Sequence, residues 1–472
     1  MAVLTDETVQ NITSPINGEI LDTTRLYKGS ELDAYVQRAK NAYKAWGGLT
    51  LRERAQFMYR YRELMIARCD ELAQLVHQEN GKTLGEARAE VEKSIEVTEF
   101  ACSLPQIAKG DQSEVSRGVF CQQSIESLGV VANITPSNFP HMVPHWTLAI
   151  SITLGNTLII KPSERVPLSM LKSLELLKEA GLPEDVVQVL PGRQDLVEAI
   201  CDHPDIKAVS FVGSTKVAQI VYQRCSQNLK RVIGLGGAKN HILVLPDAHT
   251  QMSATNIAAS MTGCAGQRCM AASVMVGVNK VDHIISSLIE ECKKIIPGEN
   301  LGAIISKDAK ARIETYIQEA IDQGATCVLD GRNPQVEGKE GGYYVGPTIL
   351  DNVRPDMALA KEEVFGPVLA IIRTESLEDA IEIENNSEYG NGAAIFTQSG
   401  PLAKKVAQEL SAGMIGVNIG VPVPREPYSF GGWNDSKFGV GDITGESSIG
   451  FWTQLKKTTT KWNPEAQINW MS

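Results

Sequence analysis

Gly129-Val130-Val131-Ala132-Asn133-Ile134-Thr135-Pro136-Ser137-Asn138 is an apolar run that breaks off in a polar turn. Short and rich in β-branched residues, it reads as a buried strand. Beyond it strand and helix patterns alternate, and that alternation decides the fold. Residues 144–154 predict a helix, 157–161 a strand and 167–180 a helix stopped by Gly181-Leu182-Pro183. Residues 186–190 predict a strand, 194–201 a helix, 206–212 a strand and 215–224 a helix. Four successive βα units argue for a doubly wound parallel sheet. Ligands in such sheets bind beyond the carboxyl ends of the strands. Here those ends are Thr135-Pro136-Ser137-Asn138, Lys161-Pro162-Ser163-Glu164, Leu190-Pro191-Gly192 and Val212-Gly213-Ser214.

No G-x-G-x-x-G motif serves as a phosphate turn. Gly213-Ser214 before a helix can still offer N–H donors to a phosphate. Lys161 and Glu164 suit a nucleotide, as an ammonium and a carboxylate able to bind ribose hydroxyls. A carboxylate there repels a 2′-phosphate, which favours NAD over NADP. Read alone, Lys-Pro-Ser-Glu also fits a capped loop.

Upstream, residues 32–45, 52–80 and 86–101 carry apolar positions at helical spacing and predict a solvated helical layer with no functional signal of its own. Residues 111–128 alternate as a strand or hairpin, and 453–462 alternate in a way that could pair with it. These are two surface strands or a subunit-pairing arm. Downstream, a second α/β block begins near Lys239. Strands are expected at 241–245, 273–278, 368–373, 392–397 and 414–418, and helices at 251–262, 281–296, 309–323, 377–385 and 401–410. A long middle region, 299–354, shows only the helix at 309–323.

The chain has 472 residues, 43% hydrophobic and 21% charged, enough for two or three cores. Its net charge of −11 argues against nucleic-acid binding and leaves an anionic substrate in need of local cations. No charged segment precedes an apolar run at the N-terminus, so no signal peptide is read. The least charged stretch, 142–160, is better explained as buried helix and strand than as a membrane span. Nine scattered cysteines without Cys-x-x-Cys predict a reducing, cytoplasmic setting, with neither disulfides nor a metal site.

Gly263-Cys264-Ala265-Gly266-Gln267-Arg268-Cys269-Met270-Ala271 delivers a cysteine through small residues, directly behind an arginine. A neighbouring cation favours the thiolate, the nucleophilic form. A buried cysteine in a tight turn explains the same composition.

Taken together, Ile134–Pro140, Lys161–Arg165, Phe211–Ser214, Gly266–Cys269, Glu363-Val364-Phe365-Gly366-Pro367 and Gly416-Val417-Asn418 resemble the aldehyde dehydrogenase superfamily across essentially the whole chain. The resemblance implies an α/β fold with a doubly wound NAD-binding domain (1–110 and 129–238, with 421–452 returning to it), an α/β catalytic domain (239–420) and a β oligomerisation arm (111–128 and 453–472) used in homodimers or homotetramers. It makes Cys269 the nucleophile, with the Asn138 amide and the Cys269 N–H as oxyanion donors. It implies NAD held by Thr135, Ser137, Lys161, Glu164, Arg165, Ser214, Gly236 and Glu363, with Phe365 near the nicotinamide.

Within the superfamily, Gly236–His241, Arg268–Ala271 and Gly420-Val421-Pro422-Val423-Pro424 resemble the CoA-acylating methylmalonate-semialdehyde dehydrogenases. Hydrolytic relatives carry Glu-Leu-Gly-Gly, whose glutamate activates water, whereas this chain reads Gly234-Leu235-Gly236-Gly237. Glycine cannot be a general base. The expectation is therefore oxidation of malonate or methylmalonate semialdehyde through a Cys269 thioester. Coenzyme A then takes the acyl group, CO2 is lost, and acetyl-CoA or propionyl-CoA results. The alternatives are a hydrolytic dehydrogenase of another short anionic or polar aldehyde, and a non-catalytic protein on this fold.

Arg268 matches the family's substrate arginine. It could instead lower the thiol pKa or serve packing. Where a second arginine is usual, this chain has Lys93, a point charge without the bidentate fork. The late loop Arg425-Glu426-Pro427-Tyr428-Ser429-Phe430 departs from the usual Phe-Pro-Phe-Ser-Gly, and Arg425 is either a replacement substrate cation or a partner of Glu426.

Overall fold

The computed structural model describes residues 8–462, so residues 1–7 and 463–472 of the expected first domain and arm lie outside the described residues. Val130–Ile134 is a strand with every residue buried. It lies inside a six-stranded sheet ordered Lys437–Phe438, Arg231–Leu235, Ile206–Val212, Val130–Ile134, Thr157–Lys161, Val187–Val189. All neighbours are parallel except Lys437–Phe438, which runs antiparallel to Arg231–Leu235. Strands covered by helices on both faces read as continuous apolar runs, which is why this sheet is visible in the sequence. From Val130–Ile134 the chain moves to one side, then crosses back to Ile206–Val212 on the other. That reversal opens a crevice at the strand ends. Register fixes its rim, since Ile134 faces both Lys161 and Phe211.

A second, seven-stranded sheet is ordered Thr326–Leu329, Thr348–Asp351, Val368–Thr374, Ala272–Val278, Asn240–Val244, Gly392–Phe396, Met414–Val417. Only its first pair is antiparallel. Two of these strands, Thr326–Leu329 and Thr348–Asp351, lie in the middle region that showed no strand pattern. Arg231–Leu235 and an N-terminal hairpin of Val9–Thr13 with Ile20–Arg25 are likewise strands that the sequence pattern did not predict.

The helix expected over 52–80 is two, Leu51–Ala67 and Cys69–Asn80, because Arg68 leaves helical geometry at φ −111°, ψ 19°. The fourth helix of that layer, Leu84–Ile107, starts at a Thr83–Glu86 capping box. Val119–Ser127 pairs antiparallel with both Asp111–Ser116 and Thr453–Lys461, so the two alternating segments form one three-stranded, largely exposed sheet. Among the described residues no helix is long and apolar enough to cross a membrane.

Candidate active site

The helix Thr250–Thr262 ends where the thiol turn begins. Cys264 and Ala265 sit at φ 50° and 53°, and Gly266 follows at φ 70°. Side-chain-bearing residues resist that conformation, so the turn is held by its surroundings. Two glycines show how closely it is packed. A Cβ on Gly266 would fall 2.0 Å from the Gly366 carbonyl oxygen, and one on Gly263 would fall 2.2 Å from Arg268 Nη1. Gln267 anchors the turn from inside. Its amide donates to the carbonyls of Cys264 and Ala303, each at 3.1 Å, and accepts from Ile305 N–H at 2.9 Å. The Cys269 carbonyl accepts from the Asn240 and Asn391 side-chain amides, both at 2.8 Å. The backbone is therefore tied on both sides of the sulfur. Gln267 and Asn240 lie inside the quoted motifs Gly266–Cys269 and Gly236–His241 without a role of their own having been read, and Asn391 is a lone amide with no distinguishing pattern.

Cys269 is half-buried and opens onto a cavity of about 420 Å³. The neighbouring arginine acts on the thiol in the expected direction, towards the thiolate, but against larger opposing influences. Burial, then the charge of Glu363, pushes the thiol up to about 12, against the backbone N–H groups of Cys269 and Met270 and the Arg268 guanidinium. The guanidinium is turned elsewhere. It folds back over Gly263 to give its Nε–H to Cys264 Sγ at 3.3 Å, and its Nη2 lies 3.5 Å from Glu86 Oε1.

Asn138 reaches the same turn from the end of the first sheet's central strand. Its Nδ2 donates to the Gln267 carbonyl at 3.0 Å, and an amide has a second hydrogen for another acceptor. Its own carbonyl receives Lys82 Nζ at 2.8 Å. Lys82 is paired at 2.5 Å with Glu90, both almost fully buried, and Glu90 Oε1 accepts from His141 N–H at 2.8 Å and Met142 N–H at 3.0 Å. The helical layer is thus part of the site. Glu86, Glu90 and Lys93 recur at i, i+4 and i+7 on Leu84–Ile107 and all line the cavity. That spacing was the available signal.

Lys93 meets Glu96 at 3.0 Å and Glu426 at 2.8 Å. Arg425 pairs with Glu96 at 3.3 Å, not with Glu426 as one alternative had it. Arg268, Lys93 and Arg425 therefore share one cavity, but each already has a carboxylate.

The crevice of the first sheet is rimmed by the ends of Val130–Ile134, Thr157–Lys161 and Ile206–Val212. Thr135 Oγ1 is buried with no hydrogen-bond partner among the described residues, while its N–H holds the Lys161 carbonyl at 3.1 Å. Lys161 Nζ lies 3.2 Å from Glu164 Oε2. Ser214 is the N-cap of Thr215–Gln227, and its side chain makes no capping hydrogen bond. An unpartnered buried hydroxyl, an ammonium–carboxylate pair and an open helix N-terminus fit a dinucleotide's ribose and phosphates. Other expected contacts are less open. The Gly236 N–H is given to Ser436 O at 2.9 Å, the Ser137 carbonyl accepts from Asn80 at 2.7 Å, and Arg165 is exposed.

Glu363 lines a small pocket with Ala238, Gly266 and Arg268. Its Oε1 accepts from Ala238 N–H at 2.9 Å, and burial pushes its carboxyl up to about 7. Lys239 beside it is pushed down to about 7 by burial, with Glu363 opposing. Phe365 follows at φ 59° in the bend that packs under Gly266. Gly234, where hydrolytic relatives carry a glutamate, is an inner strand position against Ala218.

Residues 3–458 match the family model described as the aldehyde dehydrogenase family. The chain is 41% identical to a malonate-semialdehyde dehydrogenase of Halalkalibacterium halodurans, over 96% of this chain and 94% of that protein. A malonate-semialdehyde dehydrogenase of Pseudomonas aeruginosa is 39% identical over 97% and 94%. Among solved structures, a methylmalonate-semialdehyde dehydrogenase from Oceanimonas doudoroffii superposes with a TM-score of 0.96 at 38% identity, covering 99% of this chain and 97% of that one. A putative methylmalonate-semialdehyde dehydrogenase from Sinorhizobium meliloti, complexed with NAD, gives 0.95 at 38% identity over 97% and 95%.

Proposed function

This chain belongs to the aldehyde dehydrogenase family, and from that premise we propose that it oxidises malonate or methylmalonate semialdehyde with NAD and coenzyme A, giving acetyl-CoA or propionyl-CoA and CO2. The observation that carries the reading is Cys269, tied on both sides, open to a cavity and facing the Asn138 turn. The names of the relatives support the substrate.

In this reading the Cys269 sulfur bonds to the aldehyde carbon and its proton leaves to solvent through the open cavity. The free hydrogen of the Asn138 amide and the Cys269 N–H stabilise the oxyanion. Thr135, Lys161, Glu164 and Ser214 hold NAD, which supplies the acceptor for the hydride. The thioester left on Cys269 has a β-carboxylate. Breaking that carbon–carbon bond releases CO2, and the electron pair is taken up by the thioester carbonyl before a proton is added. Gly234 offers no base for water, so the thiol of coenzyme A collects the acyl group.

The six-stranded sheet and its helices form the NAD-binding domain in this reading, to which 421–452 returns through the Lys437–Phe438 strand. Residues 239–420 form the catalytic domain. The exposed arm of 111–128 and 453–462 joins subunits into a dimer or tetramer, and its uncovered Val115, Phe120 and Leu455 support that use. All nine cysteines are free, which suits a reducing cytoplasm.

The test is NADH formation from each semialdehyde with and without coenzyme A, with mass analysis of the products. Acyl-CoA is expected; rapid formation of the free carboxylic acid without coenzyme A would overturn the proposal. One observation favours hydrolysis as the second reading: the Glu363 carboxyl lines a small pocket with Gly266 and Arg268 of the thiol turn, and burial pushes it up towards the range where a carboxylate can take a proton from water. Glu363→Gln would then abolish acid formation.

A further inference from the structure

The cavity over Cys269 has apolar walls, among them Phe139, Met142, Trp146, Ile419 and Val421. Its charges are already balanced. Lys93 Nζ is held at 2.8 Å by Glu426 and at 3.0 Å by Glu96, Arg425 lies 3.3 Å from Glu96, and Arg268 lies 3.5 Å from Glu86. These contacts differ in their access to water. The Glu426 side chain is 10% exposed and that of Lys93 18%, whereas Arg425 is 78% exposed. Lys93–Glu426 is therefore the most shielded and the shortest of these pairs, where charges act most strongly and are costly to separate. An incoming carboxylate must compete with Glu426 for Lys93. A neutral aldehyde with an apolar body meets no such competition.

We propose that Glu426 is a specificity-determining residue, one that occupies Lys93 and so sets how strongly this site prefers anionic over neutral aldehydes. A substrate carboxylate takes Lys93 by exchange, and the displaced Glu426 turns to the water-exposed guanidinium of Arg425 next to it. Arg268 does not substitute for Lys93, because its guanidinium is turned back over Gly263 towards Cys264 and Glu86. The proposal rests on the reading that aldehydes react at Cys269 from this cavity. It differs from that reading in concerning selection, not chemistry.

The experiment compares wild type with Glu426→Gln, which keeps the shape and removes the charge. Two readouts are taken. One is kcat/KM for methylmalonate semialdehyde divided by kcat/KM for 2-methylpropanal. The other is protection of Cys269 from iodoacetamide by methylmalonate relative to 2-methylpropanamide. Both ratios should rise about tenfold in the variant. Lys93→Gln, which removes the contested cation, should lower both, and the double variant should return toward wild type. Ratios unmoved by Glu426→Gln, or lowered by it, overturn the proposal. Absence of NADH formation from either aldehyde in wild type sinks the proposed activity instead, and the protection ratio still decides the role of Glu426. If Glu426→Gln does not fold, Lys93→Gln decides alone, and an unchanged ratio there also overturns it.

Discussion

Lys82 Nζ and Glu90 Oε2 meet at 2.5 Å with both side chains almost completely withdrawn from water, and together they grip the turn that bears Asn138. Breaking such a pair from one side strands a buried charge, so Lys82→Met alone should destabilise the protein by about 3–5 kcal/mol. Lys82→Met with Glu90→Gln removes both charges and keeps an acceptor for the His141 N–H. That variant should fold and lose turnover by a factor of about 10–100, because an oxyanion donor off its position stabilises little. Turnover should be measured in this variant, in Asn138→Ala, and in their combination. Losses that fail to add place the pair's effect on Asn138; additive losses place it elsewhere.

The thiol of Cys269 should be a poor nucleophile in the free protein. Burial and Glu363 push it up to about 12, so the thiolate fraction grows about tenfold per pH unit below that value. The rate of Cys269 alkylation by iodoacetamide should climb steadily from pH ~7 to ~10 without a plateau. A plateau near neutrality would mean that Arg268 outweighs burial. Glu363→Gln removes the carboxylate whose charge raises the thiol, so its alkylation should be faster at every pH in that range.

Glu164 should decide the cofactor. Removing its charge by Glu164→Gln leaves one neutral amide oxygen where two carboxylate oxygens could accept from the ribose, and takes away the repulsion of a 2′-phosphate. NAD affinity, measured by calorimetry, should fall about tenfold, and the preference for NAD over NADP should shrink. Alkylation of Cys269 in the cofactor-free protein should not change, because Glu164 makes no contact with the thiol turn. Unaltered NAD affinity would remove Glu164 from the nucleotide site.

Gly266→Ala tests the packing of the thiol turn. The new Cβ would lie 2.0 Å from a backbone oxygen of the Gly366 bend, in a residue at φ 70°. Backbone cannot swing aside as a flexible side chain does, and the left-handed conformation alone costs about 1–3 kcal/mol. Thermal unfolding should move down by several degrees and turnover should be lost. A stable, active variant would show that the turn can relax.

The doubly wound sheet could be read from Val130–Ile134, Thr157–Lys161 and Ile206–Val212 because strands buried on both faces announce themselves as apolar runs. Thr326–Leu329 is only partly buried and has no such run. The break at Arg68 was hidden because the helical spacing of apolar residues passes straight through it. Cys269 and Asn138 were legible from short motifs. The roles of Lys82, Glu90, Gln267, Asn240 and Asn391 were not, because each also holds a backbone group far away in the chain.

The order of residues alone determined the alternating α/β architecture, the glycine at 234 and the small residues that let a thiol turn form, since these depend on local pattern and side-chain size. Only the tertiary structure decided how far Cys269 is withdrawn from water and the pairing of Lys93, Arg268 and Arg425 around it. Those depend on which groups are excluded from water together, and Lys93 and Glu426, separated by most of the chain, become neighbours only when the helical layer closes over the late loop.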